Sequence, residues 1–266
     1  MNSPEHHRVM ISAHRSGAEL GTAAENRRPT LIRAAEASYD FVEFDVQRCE
    51  DGIFALHHDD YVVIDGKKHQ IESLEYDEVV DAVGEVPTLN EALDILQGRT
   101  KAHVDFKFSS PDELYETPAE SYEVEATRLV VDTMGAENCI ITTMEDKSVR
   151  AVRSWSKVEH PELLVGLSLG RNTEGLGFLS AARLRLSEVF AESRLKKCDA
   201  NLVVANKDLA KLRLANVAKR AGFPLLVWTV DSEDELQFWL EDPRAWLVTS
   251  NFPKSAVEIR NRLSQH

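Results

Sequence analysis

Phe41-Val42-Glu43-Phe44-Asp45-Val46-Gln47-Arg48-Cys49-Glu50-Asp51-Gly52-Ile53-Phe54-Ala55-Leu56-His57-His58 is the stretch on which the reading of this chain turns. Val42, Phe44 and Val46 alternate with Glu43 and Asp45, so a β-strand over Phe41 to Val46 carries its apolar residues on one face and both acids on the other. On a solvated edge strand the acids would simply face water. The apolar flanks argue instead that their own face packs on helices, which turns Glu43 and Asp45 inward. Burying two ionised carboxylates together costs several kcal/mol unless a cation neutralises them. Asp51-Gly52, between two apolar-patterned runs, predicts a two-residue hairpin loop. In that register Glu50 faces Ile53 and Asp45 stands opposite His58, so the turn returns His58 to the strand's mouth. His57 takes the other face of the arm and is assigned packing or supporting duty.

Working outward, short β-branched runs alternate with longer helical patterns, the signature of a parallel sheet built from βα units. The runs are Val9 to Ala13, Phe41 to Val46, Ala102 to Phe106, Cys139 to Thr143, Leu163 to Leu167, Asn201 to Val204, Leu225 to Val230 and Trp246 to Thr249. Between them, apolar residues recur at helical spacing, as in Leu31, Ala34 and Ala35 or Leu209, Leu212, Val217 and Ala218. Pro87-Thr88 opens a helix through Leu96, and Gly222 closes the helix before the seventh run. Eight units in 266 residues fit an α/β TIM (β/α)8 barrel better than a doubly wound sheet. The expectation is one barrel domain over residues 1–266, with a β-hairpin extension after the second strand.

A third acid shares this setting: Asp105 lies in Ala102-His103-Val104-Asp105-Phe106-Lys107, at the end of the strand next to the second. Carboxylate oxygens from Glu43, Asp45 and Asp105 favour one hard divalent cation, Mg²⁺ or Ca²⁺, over zinc. His14 and Arg15 end the first strand, where barrel active sites are built. His14 and His58 approach a common mouth and suit a general acid and general base at a phosphate, with Arg15 and Lys107 as donors to its oxygens. His103 is read as turned away from Asp105. Trp228 is either a core aromatic or a wall stacking on substrate carbons, and Phe252 has the same two readings. His6, His7, His69 and His266 are read as solvated.

Composition sets the outer bounds. With 45 acidic against 31 basic residues and a net charge of −14, the surface field repels a polyanion, which excludes nucleic acid as a partner. A few cations in a cleft can still attract a small phosphate. No apolar run is long enough to span a bilayer, and the apolar run Val9 to Ala13 is far shorter than a signal-peptide core. Cys49, Cys139 and Cys198 are widely spaced and unpaired in pattern, which suggests reduced thiols in a cytoplasmic protein.

These residues in this order resemble the glycerophosphodiester phosphodiesterases. The likeness runs through His14-Arg15, Glu25-Asn26, Val42-Glu43-Phe44-Asp45-Val46, Asp51-Gly52, His58-Asp59 and Val86-Pro87-Thr88-Leu89-Asn90-Glu91-Ala92-Leu93, then Val104-Asp105-Phe106-Lys107, Val227-Trp228-Thr229-Val230 and Ser250-Asn251-Phe252-Pro253. It implies a TIM barrel of glycerol and lipid metabolism that binds one divalent cation through Glu43, Asp45 and Asp105. It further implies acid/base catalysis by His14 and His58, phosphate binding by Arg15 and Lys107, and a place for Glu25 near the metal and the substrate hydroxyls. By that family's chemistry the glycerol 2-hydroxyl attacks phosphorus, an alcohol leaves, and water opens the cyclic phosphate to glycerol 3-phosphate. The chain departs from the pattern at Ser16 (usually glycine), Arg27 (usually threonine) and Asp105 (usually Glu), and its Tyr61 to Glu85 segment is short. Asp105 and that short segment also resemble the lysophospholipase D and sphingomyelinase D enzymes, lyases that release a cyclic phosphate. A barrel that binds a phosphorylated ligand without turnover is a third reading, prompted by Ser16 and Arg27.

Overall fold

The computed structural model describes residues 8–37, 39–170 and 190–265, so His6, His7 and His266 lie outside the described residues. Its strands in chain order are β1 (Met10–Ala13), β2 (Phe41–Arg48), β3 (Phe54–Leu56), β4 (Tyr61–Ile64), β5 (Lys67–Gln70), β6 (Lys101–Phe106), β7 (Cys139–Thr143), β8 (Leu164–Leu169), β9 (Leu202–Asn206), β10 (Leu225–Trp228) and β11 (Leu247–Ser250). Eight of these pair in parallel in the cyclic order β1, β2, β6, β7, β8, β9, β10, β11, with β11 returning to β1. The sheet therefore closes into the (β/α)8 barrel that the eight apolar runs predict, and every run contributes its strand.

Helices α1 (Arg28–Glu36), α2 (Tyr76–Val83), α3 (Leu89–Leu96), α4 (Tyr122–Met134), α5 (Asp146–Glu159), α6 (Ala191–Cys198), α7 (Ala215–Ala221), α8 (Glu233–Glu241) and α9 (Pro253–Leu263) lie among the described residues. The strands turn Val42, Phe44, Val46, Val104 and Phe106 outward onto them, and all five are buried. Each such side chain contributes about 1.5–3 kcal/mol relative to leaving it exposed. Inside, Phe41, Ile140, Leu202, Val204, Leu226 and Leu247 form a separate cluster that fills the barrel beneath the strand C-termini. That plug leaves the mouth as the place for polar chemistry.

Helix ends follow local chemistry. Thr88 caps α3, accepting from the Glu91 N–H at 3.3 Å while Glu91 accepts from the Thr88 N–H at 2.9 Å. Gly222 ends α7 at φ +70°, a conformation open to glycine at no steric cost. The apolar periodicity before α7 is broken: Leu212 is 80% exposed, while Ala210 and Leu214 are buried. A π-helical turn over Ala210–Leu214 advances the phase there, so a 3.6-residue period places Leu212 on the wrong face.

The hairpin forms, but its register differs from the two-residue reading. Val46 pairs with Leu56, Gln47 with Ala55 and Arg48 with Phe54. The Cys49 N–H donates to Ile53 O at 2.9 Å and the Gly52 N–H to Cys49 O at 3.0 Å, with Gly52 at φ +88°. The loop is thus Glu50-Asp51-Gly52, a three-residue connection with glycine in the left-handed position. Continued, this ladder would set His57 rather than His58 across from Asp45. His58 reaches the mouth because pairing stops at Leu56, and the Gln47 side-chain amide holds the following chain by donating to Asp59 O at 2.9 Å. Beyond it β4 and β5 pair as a second small hairpin, and with α2 they bury Val62, Ile71, Leu74 and Val79 in a cluster of their own.

The three cysteines are buried and free, as their spacing suggests, with Cys49 in the hairpin turn. Burial pushes the Cys49 and Cys139 thiols up to about 12 and Cys198 up to about 11, which makes them packing groups and not nucleophiles. Among the described residues no helix is long and apolar enough to cross a membrane.

Candidate active site

Three acids converge at the mouth. Asp45 on β2 and Asp105 on β6 are direct partners in the parallel ladder, and Glu43 shares their inward face two residues earlier. One oxygen from each of Glu43, Asp45 and Asp105 lies within 4.8 Å of the others, and all three residues are buried. The cations expected beside them are there. Lys107 Nζ lies 3.1 Å from Asp45 Oδ1 and 2.5 Å from Asp105 Oδ2, because Asp105 and Lys107 share a face at the strand end. Arg15 donates its backbone N–H to Glu43 Oε2 at 2.6 Å, places Nε 3.5 Å from Asp45 Oδ2, and donates through Nη1 to Glu25 Oε2 at 2.8 Å. Glu25 is thereby tied to the site through Arg15 and stands outside the acid triad.

Three carboxylates against two cations leave the centre short of positive charge. Burial, with Asp45 and Asp105 nearby, raises the Glu43 pKa well above the usual carboxylate range. Asp45 goes the other way: burial alone would raise it, but Lys107, His58, Arg15 and the Asn26 amide together hold it far below that range. Two neighbouring acids driven apart by their surroundings mark a candidate functional site. A divalent cation would remove the conflict, and the donor set fits one: oxygen atoms only, close together, with waters or substrate oxygens free to complete the shell.

The backbone that presents Arg15 is held in an unusual shape. Arg15, Ser16 and Asn26 take φ values of 48°, 52° and 56°, left-handed for residues with side chains. The Ser16 N–H donates to Glu43 O at 2.9 Å, which ties this turn to β2. The family's glycine at position 16 suits that φ, and Ser16 keeps it with its hydroxyl 3.2 Å from Thr30 Oγ1. Arg27, the other departure, donates through Nη2 to Val83 O at 3.3 Å and through Nη1 to Glu85 O, fastening α1 to the segment after α2.

Several supporting residues are assigned no role by the sequence, although Asn26 stands in the Glu25-Asn26 segment that carries the resemblance. Asn26 donates its amide to Asp45 Oδ2 at 2.9 Å and accepts from the Asp45 N–H at 3.2 Å. Thr142 on β7 donates its hydroxyl to Asp105 Oδ1 at 2.5 Å. His103 is the clear correction, since it does not turn away from Asp105. Two residues apart in a strand, they share the inward face, and His103 Nε2 lies 3.1 Å from Thr142 Oγ1 while Nδ1 lies 3.2 Å from Ser12 Oγ. Burial drives His103 down to about 3, so the ring is neutral. Because the Thr142 proton goes to Asp105, Thr142 accepts from His103 Nε2–H, and Nδ1 accepts from Ser12.

His14, Arg15, Glu43, His58, Asp105 and Lys107 line one cavity of about 130 Å³ at the barrel mouth. His14 Nδ1 is 2.6 Å from Asn251 Oδ1, and its Nε2 looks at Glu43 Oε2 from 3.9 Å. Burial and the nearby Arg15 charge lower the His14 pKa. His58 is more open and holds Asp59 Oδ1 at 2.8 Å through Nδ1. Trp228 packs against the inner cluster and lines the cavity. Its Nε1 and the Thr249 hydroxyl, both buried, have no hydrogen-bond partner among the described residues. Phe252 lies outside this cavity, 45% exposed along a separate groove between α8 and α9.

This geometry can grip a phosphate between cations and offer it two imidazoles. The model of the Glycerophosphoryl diester phosphodiesterase family matches residues 14–253. The chain belongs to that family. It is accordingly a phosphoric diester hydrolase acting on small glycerophosphodiesters. No curated protein matches the chain. Among solved structures, a glycerophosphodiester phosphodiesterase from Parabacteroides distasonis superposes with a TM-score of 0.73 at 20% identity, covering 97% of this chain and 99% of that one. An Oleispira antarctica phosphodiesterase, solved in complex with the product sn-glycerol-3-phosphate, gives 0.68 at 20% identity over 96% of this chain and 97% of that one. A Thermotoga maritima glycerophosphodiester phosphodiesterase gives 0.64 at 16% identity, covering 98% of this chain and all of that one at 100%. At such identities the likeness speaks for the barrel alone.

Proposed function

We propose that this family member hydrolyses glycerophosphodiesters to glycerol 3-phosphate and an alcohol, with Mg²⁺ or Ca²⁺ held by Glu43, Asp45 and Asp105 and with His14 and His58 as the acid/base pair. The observation that carries this reading is the buried acid triad with two histidines and two cations on the same cavity. When bound, the cation supplies charge neutralisation to the phosphate oxygens. Arg15 and Lys107 orient the phosphate by donating to its non-bridging oxygens. Trp228 lies against the glycerol carbons, and Glu25 aligns Arg15 and reaches the substrate hydroxyls.

His14 is the base. Its Nδ1 is committed to Asn251 and its pKa is lowered, so a lone pair at Nε2 faces the site and takes the proton of the attacking glycerol 2-hydroxyl. His58 is the acid. Asp59 holds its Nδ1, which leaves Nε2 to give a proton to the departing alcohol oxygen. The P–O bond to the alcohol breaks as the bond from the 2-hydroxyl oxygen forms. Water then opens the cyclic phosphate with the two roles exchanged.

The direct test is glycerophosphocholine or glycerophosphoethanolamine with added Mg²⁺ or Ca²⁺, followed by phosphorus NMR. Glycerol 3-phosphate should appear with metal and stop in excess chelator; turnover that survives the chelator removes the metal from the proposal. A cyclic phosphate that accumulates and persists would replace hydrolysis by the lyase reaction.

A further inference from the structure

We infer that Asp231, which touches neither the acids nor the cavity, fixes the tautomer of His14 through Asn251 and so acts as a positioning residue for the reaction proposed above. Asp231 follows β10 after Trp228-Thr229-Val230, and Asn251 follows β11. The two strands are neighbours, so two loop residues from the barrel rim meet behind the first strand's His14.

The hydrogen bonds have one consistent direction. Asp231 Oδ1 accepts the Asn251 backbone N–H at 2.9 Å, and Asp231 Oδ2 lies 2.8 Å from Asn251 Nδ2. A carboxylate can only accept, so the amide nitrogen of Asn251 must point to Asp231 and its carbonyl oxygen must point away. That oxygen is 2.6 Å from His14 Nδ1, and an amide oxygen can only accept, so the ring proton belongs on Nδ1. The lone pair of neutral His14 then sits on Nε2, the atom that looks into the site. Ser250 adds a weaker clasp, its hydroxyl 3.3 Å from Asp231 Oδ1.

Without the carboxylate the Asn251 amide loses the acceptor that fixes this orientation. Flipped, it would present NH₂ to His14, move the ring proton to Nε2 and close the lone pair needed for proton abstraction. Ring placement, substrate contacts and the acids would be unchanged, so the loss falls on kcat and spares KM.

The test reads the tautomer directly, with no substrate and no metal. Nitrogen-15 NMR of histidine-labelled protein at pH 8 should show His14 with its proton on Nδ1. In Asp231→Ala the signal should shift toward the Nε2–H form, and kcat on glycerophosphocholine should drop at least about tenfold, toward the 10²- to 10⁴-fold range of lost general-base function, with KM within about twofold. The exchange Asp231→Asn with Asn251→Asp keeps each hydrogen bond but reverses the one between the two side chains, so that the carboxylate itself accepts from His14 Nδ1–H. It should restore the Nδ1–H tautomer and most of kcat. Circular dichroism confirms folding, and the exchange variant keeps the test decisive if Asp231→Ala fails to fold. A wild-type His14 protonated on Nε2, or Asp231→Ala with tautomer and kcat unchanged, overturns the inference. If the tautomer moves as expected while no glycerophosphodiester is turned over, the positioning stands and the proposed activity fails.

Discussion

Asp45 and Asp105 stand opposite each other in the β2–β6 ladder, and the ammonium of Lys107 lies within reach of both. Their separation is fixed by backbone pairing and not by side-chain preference, so the acids remain close whether or not a cation is present. Replacing Asp45 or Asp105 by Asn should lower kcat/KM on the order of 10³-fold and raise the Mg²⁺ needed for half activity, read from metal titrations of initial rate.

Glu43 is a source of strain in the metal-free protein. Its carboxyl pKa is raised on folding, so the folded state holds the proton more tightly than the unfolded chain, and stability falls as pH rises from the ordinary carboxylate range through the raised value. Glu43→Gln should therefore be more thermostable than the metal-free parent at neutral pH, with the difference vanishing at and below about pH 4. Added Mg²⁺ should raise the melting temperature of the parent and not of the variant. A variant less stable than the metal-free parent at neutral pH would contradict the charge conflict.

The two histidines should respond differently to the leaving group. His14→Ala and His58→Ala are each expected to cost about 10²- to 10⁴-fold in kcat on glycerophosphocholine. On a glycerophospho-p-nitrophenyl ester, whose leaving group needs no proton, His58→Ala should recover most of its rate and His14→Ala should not. Equal recovery by both would reverse or erase the assignment. If neither variant lost any turnover, the acid/base assignment would fail.

Ser16 tests the left-handed turn. At φ 52° a glycine avoids the penalty of about 1–2 kcal/mol that a side chain carries there, and Thr30 keeps its bonds to Ala24 O and Arg27 O when the serine hydroxyl is removed. Ser16→Gly should raise stability to urea by about 1 kcal/mol with activity retained.

Glu123, fully buried on α4, organises the loop that follows Lys107. It accepts from the Ser110 N–H at 3.1 Å, from the Ser110 hydroxyl at 2.5 Å, from Tyr115 at 2.5 Å and from Ser148 at 2.6 Å. Glu123→Ala should cost about 3 kcal/mol or more by chemical denaturation, since it strands several buried donors, and Glu123→Gln should cost less.

What the sequence alone determined is whatever depends on period and spacing. Glu43 and Asp45 share a face because strands repeat every two residues, and the eight apolar runs close a barrel because each must bury one face on helices. The same rule places His103 beside Asp105, so that histidine was legible by period and misread. Other features depend on where separate strands end in space. Thr142 becomes a partner of Asp105, Asn251 of His14 and Asp231 of Asn251 only once β7, β10 and β11 take their places, and no local pattern announces hydrogen bonds across 37 or 237 residues. The hairpin register turned on one glycine's left-handed φ, and the exposure of Leu212 on a π turn. Both are small backbone choices settled by tertiary packing, because local propensity differences there are smaller than the energy of burying one side chain.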